Sequence, residues 1–168
     1  ENPHFIQGKL LNPDYPNTAA TYDRIIEHGE FYEDEQYYRQ LIARHQFGTA
    51  IILRDEFIPD SEVKYYLSAS DCVIQPYRNA TQSGVTPLAY HFEIPMIVTN
   101  VGGLPALVPD KKVGLVCKPE PGSIADAIIE FFELGEQYFI PHLRGEKEKY
   151  SWNRMTEAIL KLANDIQK

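Results

Sequence analysis

The chain has 168 residues, of which 43% are hydrophobic and 12% aromatic; this composition fits one folded domain and excludes a disordered chain. Its 16 Lys and Arg against 24 Asp and Glu give a formal net charge of −8, which argues against nucleic-acid binding because such a protein presents a basic surface. Apolar runs are only a few residues long, so we expect no membrane span. The first residues have neither a basic nor an apolar stretch of the kind a signal peptide needs, so we expect none among them.

Residues 1–22 crowd three turn signals, Asn2-Pro3, Asn12-Pro13 and Tyr15-Pro16, and predict an irregular lead-in. The folded domain then covers residues 23–168. Within it, five short runs rich in β-branched residues predict strands at 24–26, 50–53, 72–76, 96–99 and 114–117. The runs do not alternate clearly between apolar and polar residues, which is typical of parallel strands buried on both faces.

Helical patterns lie between and after these runs. Residues 34–45 have apolar side chains at helical spacing, and Asp60 is predicted to cap the next helix. Ser123 with Asp126 resembles a capping box, and residues 151–167 form the last predicted helix. The alternation predicts an α/β fold, namely a Rossmann-like, three-layer arrangement of a parallel sheet flanked by helices, with right-handed crossovers.

The two cysteines, Cys72 and Cys117, do not have the spacing of a metal site. We expect both to be free buried thiols, which is typical of a reducing compartment. The sequence therefore predicts a cytoplasmic protein without a bound metal.

The segment 76–92 carries the chemistry, because it leaves the carboxyl end of a predicted strand, where ligands bind in open α/β sheets, and enters a helix. Pro87 belongs in a first helical turn, so we predict Thr86 as the N-cap and Pro87 as the first helical residue. Gly84 lets a phosphate approach backbone N–H groups, and the hydroxyls of Ser83 and Thr86 add donors. The predicted ligand is a phosphate or diphosphate; an ordinary strand–loop–helix connection is the alternative.

Two further loops follow predicted strands. Gly102 and Gly103 predict a tight turn that either lines the site or is purely structural. Residues 54–60 form a loop whose backbone could hydrogen-bond the edge of a base, with a plain loop as the alternative. None of the five histidines has the spacing of a metal site, and no serine has the context of a hydrolase nucleophile. The sequence therefore identifies no catalytic residue.

An ordered series of short motifs resembles a known family. In chain order these are Gly29-Glu30-Phe31-Tyr32, Phe57-Ile58-Pro59-Asp60, Ser68-Ala69-Ser70-Asp71, Gln75-Pro76-Tyr77, Thr81-Gln82-Ser83-Gly84-Val85, Pro95-Met96-Ile97-Val98-Thr99, Val101-Gly102-Gly103-Leu104-Pro105 and Ser151-Trp152. From about residue 24 to its end, the chain resembles the C-terminal domain of the group 1 (family 4) glycosyltransferases, which is one half of a GT-B fold.

This resemblance implies a donor-binding domain. In the family this half binds a nucleotide-diphosphate sugar, such as a UDP- or GDP-sugar, and an N-terminal acceptor domain completes the enzyme. The resemblance implies metal-independent, usually retaining transfer of a hexose, as in polysaccharide biosynthesis, without a cofactor. It places the diphosphate on Ser83, Gly84, Val85 and Thr86. It places the base near Phe57 and Ile58, and the donor near Gly29 and Glu30.

Two departures from the family's pattern bear on function. The family usually has two glutamates around the phosphate loop, one for the sugar and one for the ribose, and Ala80 and Leu88 stand in their places. Recognition of sugar and ribose would then pass to Tyr77, Thr81 or Gln82. The family's Gly-Arg and Lys-Gly segment, which clamps the phosphates, is not recognisable in the lead-in, and 168 residues are too few for the acceptor domain as well.

We therefore expect the donor half of a glycosyltransferase that needs its missing acceptor domain for turnover. Such a protein would be cytoplasmic, with peripheral contact at the inner membrane face through the full-length enzyme. The alternative is a non-catalytic α/β interaction module or an inactive truncated fragment. An exposed sheet edge or cleft face would favour self-association.

Overall fold

The structure, a computed structural model, describes residues 4–8, 24–28, 35–45, 51–54 and 58–166. These residues form one sheet flanked by helices. Its strands are β1 (His4–Gly8), β2 (Arg24–His28), β3 (Ile51–Arg54), β4 (Ser70–Gln75), β5 (Met96–Thr99) and β6 (Gly114–Cys117).

The strands lie in the order β3-β2-β1-β4-β5-β6. β2 pairs with β3 in parallel, and β4, β5 and β6 pair in parallel with one another. β1 is antiparallel to both of its neighbours, β2 and β4. All strands except β1 therefore run the same way, and their last residues lie along one edge of the sheet, which we call the carboxyl edge.

β1 differs from the sequence-based expectation in two respects. The sequence predicts an irregular lead-in and a wholly parallel sheet, whereas the structure has a strand at His4–Gly8 that runs antiparallel. The predicted turns lie on either side of this strand, and its apolar run, Phe5-Ile6, is too short to predict one. Strand direction depends on long-range pairing, here of Phe5 with Ile74, and local composition does not encode it.

The helices are α1 (Glu35–Arg44), α2 (Asp60–Ser68), α3 (Val85–Phe92), α4 (Leu104–Leu107), α5 (Pro121–Leu134), α6 (Glu136–Lys147) and α7 (Trp152–Ile166), with a 3-10 turn at Glu148–Tyr150. The strands predicted as β2 to β6 and the helices predicted as α1, α2, α3, α5 and α7 are all present. The sequence does not predict α6, because Pro141 and Gly145 inside it are typical helix breakers.

Two predicted helix caps are wrong. Pro59 precedes α2, and Asp60 is the first residue of the helix. α5 begins at Pro121, so Ser123 lies inside the first turn, where its Oγ accepts a hydrogen bond from the N–H of Lys118 at 3.0 Å. In both cases a proline, whose fixed φ suits the entry to a helix, moves the start of the helix to an earlier residue.

The core lies between β4, β5, β6 and the helices that pack on them. β4 and β5 are almost wholly buried, as predicted for parallel strands. Phe131 of α5 and Phe139 of α6 stack with their ring centroids 5.5 Å apart. Cys72 and Cys117 are buried thiols that form no disulfide with each other, as predicted. Among the described helices, none combines the length and the apolar character that crossing a bilayer requires.

Candidate functional site

Two loops meet at the carboxyl edge. The first, residues 76–84, leads from β4 to α3, and the second, residues 100–103, follows β5. The N–H of Gly103 donates to the carbonyl of Thr81 at 2.9 Å. Gly102 has a φ of +51°, and a Cβ on it would lie 1.7 Å from the carbonyl oxygen of Ala80. The glycine pair therefore supports the first loop, because a side chain at Gly102 would displace it.

α3 begins earlier than predicted. The helix starts at Val85 with Gly84 as the preceding residue, so Thr86 is its second residue and Pro87 its third. The prediction of Thr86 as N-cap is therefore wrong. The reason is local: Ser83 Oγ accepts a hydrogen bond from the N–H of Val85 at 3.2 Å, which draws the chain into the first turn. Proline is tolerated at the third position, because that N–H has no partner within the helix.

The hydroxyl groups predicted as ligand donors point into the protein. Ser83 Oγ lies 3.0 Å from the hydroxyl of Tyr77, and both residues are buried. Thr86 Oγ1 donates to Gln75 Oε1 at 3.1 Å, also in a buried position. These contacts fix the loop and the first turn of α3 relative to β4. At the start of α3, the groups left to meet a phosphate are therefore backbone N–H groups rather than the hydroxyls of Ser83 and Thr86.

The start of α3 is open toward solvent. Gly84 is exposed, and a Cβ on it would meet nothing within 4 Å. Among the described residues, no acceptor is found for the N–H groups of Gly84 and Thr86. Unpaired N–H groups and the positive end of the helix dipole together favour an anion at this position. The geometry agrees with a phosphate ligand; binding itself stays a prediction.

Two further polar residues, which the sequence motifs contain but to which the sequence assigns no role, hold the loop in place. Thr99 Oγ1, at the end of β5, donates to the carbonyl of Tyr77 at 2.6 Å. Gln75, at the end of β4, is fully buried, and its Nε2 has no hydrogen-bond partner among the residues that the structure describes. A polar residue at the end of an otherwise apolar strand is the sequence signal that could have found both, since such residues lie at the carboxyl edge.

The charge around these loops is unusual for an acidic chain. Residues 72–109 contain one acidic residue, Glu93, although 24 of the 168 residues of the chain are acidic. Glu93 lies at the far end of α3, where its carboxylate is 2.8 Å from Arg144 Nε and 3.4 Å from Lys147 Nζ. The hydrogen bond from Arg144 lowers the pKa of this carboxyl. Neither loop therefore brings a carboxylate near an anion bound at the start of α3.

The structure brings some of the predicted site residues together. One group shares the loop and first turn at the carboxyl edge: Tyr77, Thr81, Gln82, Ser83, Gly84, Val85 and Thr86. Thr81 and Gln82 are exposed. Ile58 follows β3, which ends at the same edge but three strand positions from β4, or about 14 Å at the usual strand spacing. Gly29, Glu30 and Phe57 lie outside the described residues.

The sheet and its carboxyl edge define the class: an α/β domain of the Rossmann type, in which ligands bind where parallel strands end. The chain belongs to the family of group 1 glycosyl transferases, whose sequence model matches residues 23–133. This confirms the family that the sequence motifs indicate.

A curated relative and solved structures agree with this family. The chain is 24% identical to human alpha-1,3/1,6-mannosyltransferase ALG2 over 170 aligned positions, which cover 96% of this chain and 40% of that protein. Its fold resembles Anabaena Alr3699/HepE in complex with UDP, with a TM-score of 0.68 and 15% identity over 83% of this chain and 40% of that one. It also resembles sucrose-phosphate synthase from Thermosynechococcus elongatus, with a TM-score of 0.64 and 16% identity over 84% of this chain and 37% of that one.

These likenesses confirm the predicted fold class, one half of a GT-B fold. The chain spans about 40% of the length of the curated relative that it matches.

Proposed function

We propose that this chain is the donor-binding part of a glycosyltransferase that transfers a sugar from a nucleotide-diphosphate sugar to an acceptor. The observation that carries the proposal is the start of α3 at the carboxyl edge, where no acceptor is found among the described residues for the N–H groups of Gly84 and Thr86 and where the strand, loop and helix at residues 72–92 contain no acidic residue. Membership of the glycosyl transferase family supports it. So do the structures of Alr3699/HepE, a protein of similar fold solved with UDP and with UDP-glucose.

In this proposal the chain acts by position and electrostatics. Cleavage of the bond between the sugar and the diphosphate leaves negative charge on the departing diphosphate, and backbone N–H groups at a helix start stabilise such charge without rearranging. The contacts of Tyr77 with Ser83, and of Gly103 with Thr81, hold these N–H groups in place beforehand. Thr81 and Gln82, which are exposed beside them, are available for hydrogen bonds to the sugar or ribose.

The proposal also includes metal independence, the stereochemistry of transfer, a separate acceptor domain and the cellular compartment. Metal independence is supported by the sequence of the loop, since residues 72–92 offer no carboxylate as a ligand for a divalent cation. Retention of configuration, transfer of a hexose and a role in polysaccharide biosynthesis rest on the family resemblance. The need for a separate acceptor domain is supported by the chain's 40% coverage of its curated relative. Two buried thiols that form no disulfide with each other support a reducing, cytoplasmic compartment.

Thermal denaturation with nucleotides tests the proposal. We would compare UDP, GDP, ADP, dTDP and pyrophosphate at millimolar concentration. A ligand at about 100 times its dissociation constant adds about 2.7 kcal/mol to the free energy of unfolding, which raises the Tm of a domain of this size by several degrees. We expect one nucleoside diphosphate to give this shift and thereby to identify the base.

A matched pair of variants locates the binding. Gly84→Val fits the fold, because a Cβ there meets nothing within 4 Å, but its side chain would occupy the space above the open N–H groups. Gly122→Val makes the same change in open space in the first turn of α5. We expect Gly84→Val to abolish the ligand-induced shift and Gly122→Val to keep it. An equal shift in both variants would contradict the proposed site.

A non-catalytic interaction module is the second candidate. The observation that favours it is Leu88, which is 40% exposed on α3 at a place where the family usually has a glutamate. If the folded wild-type protein shows no shift with any of the five ligands, this second candidate replaces the first.

A further inference from the structure

The last helix, α7, carries an exposed apolar stripe. Every residue of this helix is exposed. The large apolar side chains along one side of it are between 48% and 85% exposed, namely Trp152, Met155, Ile159, Leu162 and Ile166. We call these five side chains the α7 stripe. Soluble proteins seldom expose a contiguous apolar patch of more than roughly a few hundred Å² unless it is an interaction surface, and the α7 stripe runs the whole length of the helix.

The α7 stripe has the spacing of a coiled-coil seam. Its members follow one another at steps of three, four, three and four residues, which are the a and d positions of a heptad repeat. The positions that flank such a seam often carry charges that select the partner helix. Here four of the five flanking positions are small and uncharged, namely Ser151, Thr156, Ala158 and Ala163, and the fifth is Asp165 near the helix end. Two copies of this helix can therefore approach without like charges facing each other along most of the seam.

The charges of α7 favour a second copy of the chain over a lipid surface. The helix has two basic residues, Arg154 and Lys161, and two acidic residues, Glu157 and Asp165, so its net charge is zero although the chain as a whole carries −8. Two acidic chains repel each other least where their local charge is balanced. A helix that lies on a membrane has an excess of lysine and arginine on its polar side, which α7 lacks.

The start of α7 is attached to the body of the domain. The ring of Tyr150, which precedes the helix, lies 5.1 Å from the ring of Tyr90 in α3. Ser151 Oγ accepts a hydrogen bond from the N–H of Arg154 at 3.4 Å, which caps the first turn. A helix of this length is only marginally stable alone in water, so an exposed apolar side gains stability by pairing. Because its start is already fixed, pairing costs less entropy.

We propose that α7 is an interaction surface for a second copy of this chain, with the two α7 stripes packed against each other as a two-stranded coiled coil. The proposal goes beyond the proposed function and does not depend on nucleotide binding. Pairing removes Trp152 from water. Trp152 is the only tryptophan of the chain and is 77% exposed in the single copy, so its fluorescence reports directly on whether the stripe is covered.

Sedimentation velocity and tryptophan fluorescence of the 168-residue chain, between about 1 and about 100 µM, test this inference. We expect the mass to rise from one chain to two with concentration, and the emission of Trp152 to move to shorter wavelength in step. Ile159→Glu should weaken association at least about a hundredfold, because each of the two copies loses a buried isoleucine.

Two control variants carry the same added charge elsewhere. Ile129→Glu changes an isoleucine on α5 that is 50% exposed, against 56% for Ile159, and Asn164→Glu places the charge on the polar side of α7. We expect both to change the association by less than about threefold. Thermal denaturation of each variant at low concentration confirms that the core is intact, which we expect because all three side chains are exposed.

Three results would overturn the inference. A wild-type chain that stays monomeric at the highest concentration leaves the stripe to the missing acceptor domain. A dimer that Ile159→Glu does not weaken, or that all three variants weaken equally, uses another surface. If vesicles of phosphatidylglycerol shift the emission of Trp152 while the chain alone stays monomeric, the stripe binds lipid instead. None of these results bears on the proposed nucleotide site.

Discussion

Replacing Gly102 by alanine should separate the support of the phosphate loop from the stability of the rest of the fold. The new Cβ would lie 1.7 Å from the carbonyl oxygen of Ala80 and 3.1 Å from the Cα of Thr81. All of these neighbours are backbone atoms, so the loop itself must move. The φ of +51° costs alanine about 1–2 kcal/mol, and the overlap adds about 1–3 kcal/mol. We expect a loss of about 2–5 kcal/mol in the free energy of unfolding.

Urea denaturation measures this loss, and titration with UDP measures the displacement of the loop. Gly145→Ala is the control, because a Cβ there meets nothing within 4 Å and the residue lies inside α6. Alanine should stabilise that position by about 0.5–1 kcal/mol. In Gly102→Ala we expect weaker UDP binding as well as lower stability. The reasoning is refuted if Gly102→Ala is as stable as the wild-type protein, or if it is destabilised yet binds UDP unchanged.

Three further predictions concern stability. Ile97→Ala, in the fully buried β5, should lower the free energy of unfolding by about 2–5 kcal/mol in urea denaturation. Ile159→Ala, at a side chain 56% exposed on α7, should lower it by less than about 0.5 kcal/mol at protein concentrations where the chain is monomeric. Equal losses would contradict the core as described. Thr86→Val removes the hydrogen bond to Gln75 Oε1 and should lower the free energy of unfolding by about 1–3 kcal/mol. In a double-mutant cycle, the additional change Gln75→Leu should recover most of this loss. The pKa of Glu93 is lowered in the folded state. Its contribution to the free energy of unfolding is therefore present above its unfolded pKa of about 4.3 and is lost as the pH falls through the lower, folded value. Glu93→Gln should accordingly lose less stability than the wild-type protein between pH 5 and pH 3, and parallel losses would contradict this.

The sequence predicts those parts of the fold that depend on local pattern. The runs predicted as strands at 72–76 and 96–99 overlap the buried strands β4 and β5, and the loop between the first of them and α3 lies at the carboxyl edge, as parallel topology requires. β1 could not be predicted, because its place and direction depend on partners distant in the sequence. The start of α3 was misplaced because a proline at the first and at the third helical position produce the same sequence signal.

The hydroxyl groups of the site show a similar limit of sequence reasoning. Ser83 and Thr86 have the residue types of phosphate donors, and their position in the loop is as predicted. Which way each hydroxyl points depends on Tyr77 and Gln75, residues that only the folded chain brings into contact. Residue type and spacing therefore predict where these residues lie in the fold better than they predict which way their side chains point.

The two residues that depart from the family pattern, Ala80 and Leu88, affect the proposed side-chain contacts to sugar and ribose but not the proposed backbone contacts to phosphate. Backbone N–H groups at Gly84 and Thr86 do not depend on the identity of neighbouring side chains, so the proposed diphosphate contact persists even though Ala80 and Leu88 replace the usual glutamates. Without these two carboxylates, less negative charge lies beside the proposed anion, so we expect a stronger phosphate contact and weaker recognition of sugar and ribose. We expect a chain of this kind to select its donor mainly through the diphosphate, and comparison of pyrophosphate with the nucleoside diphosphates measures that division directly.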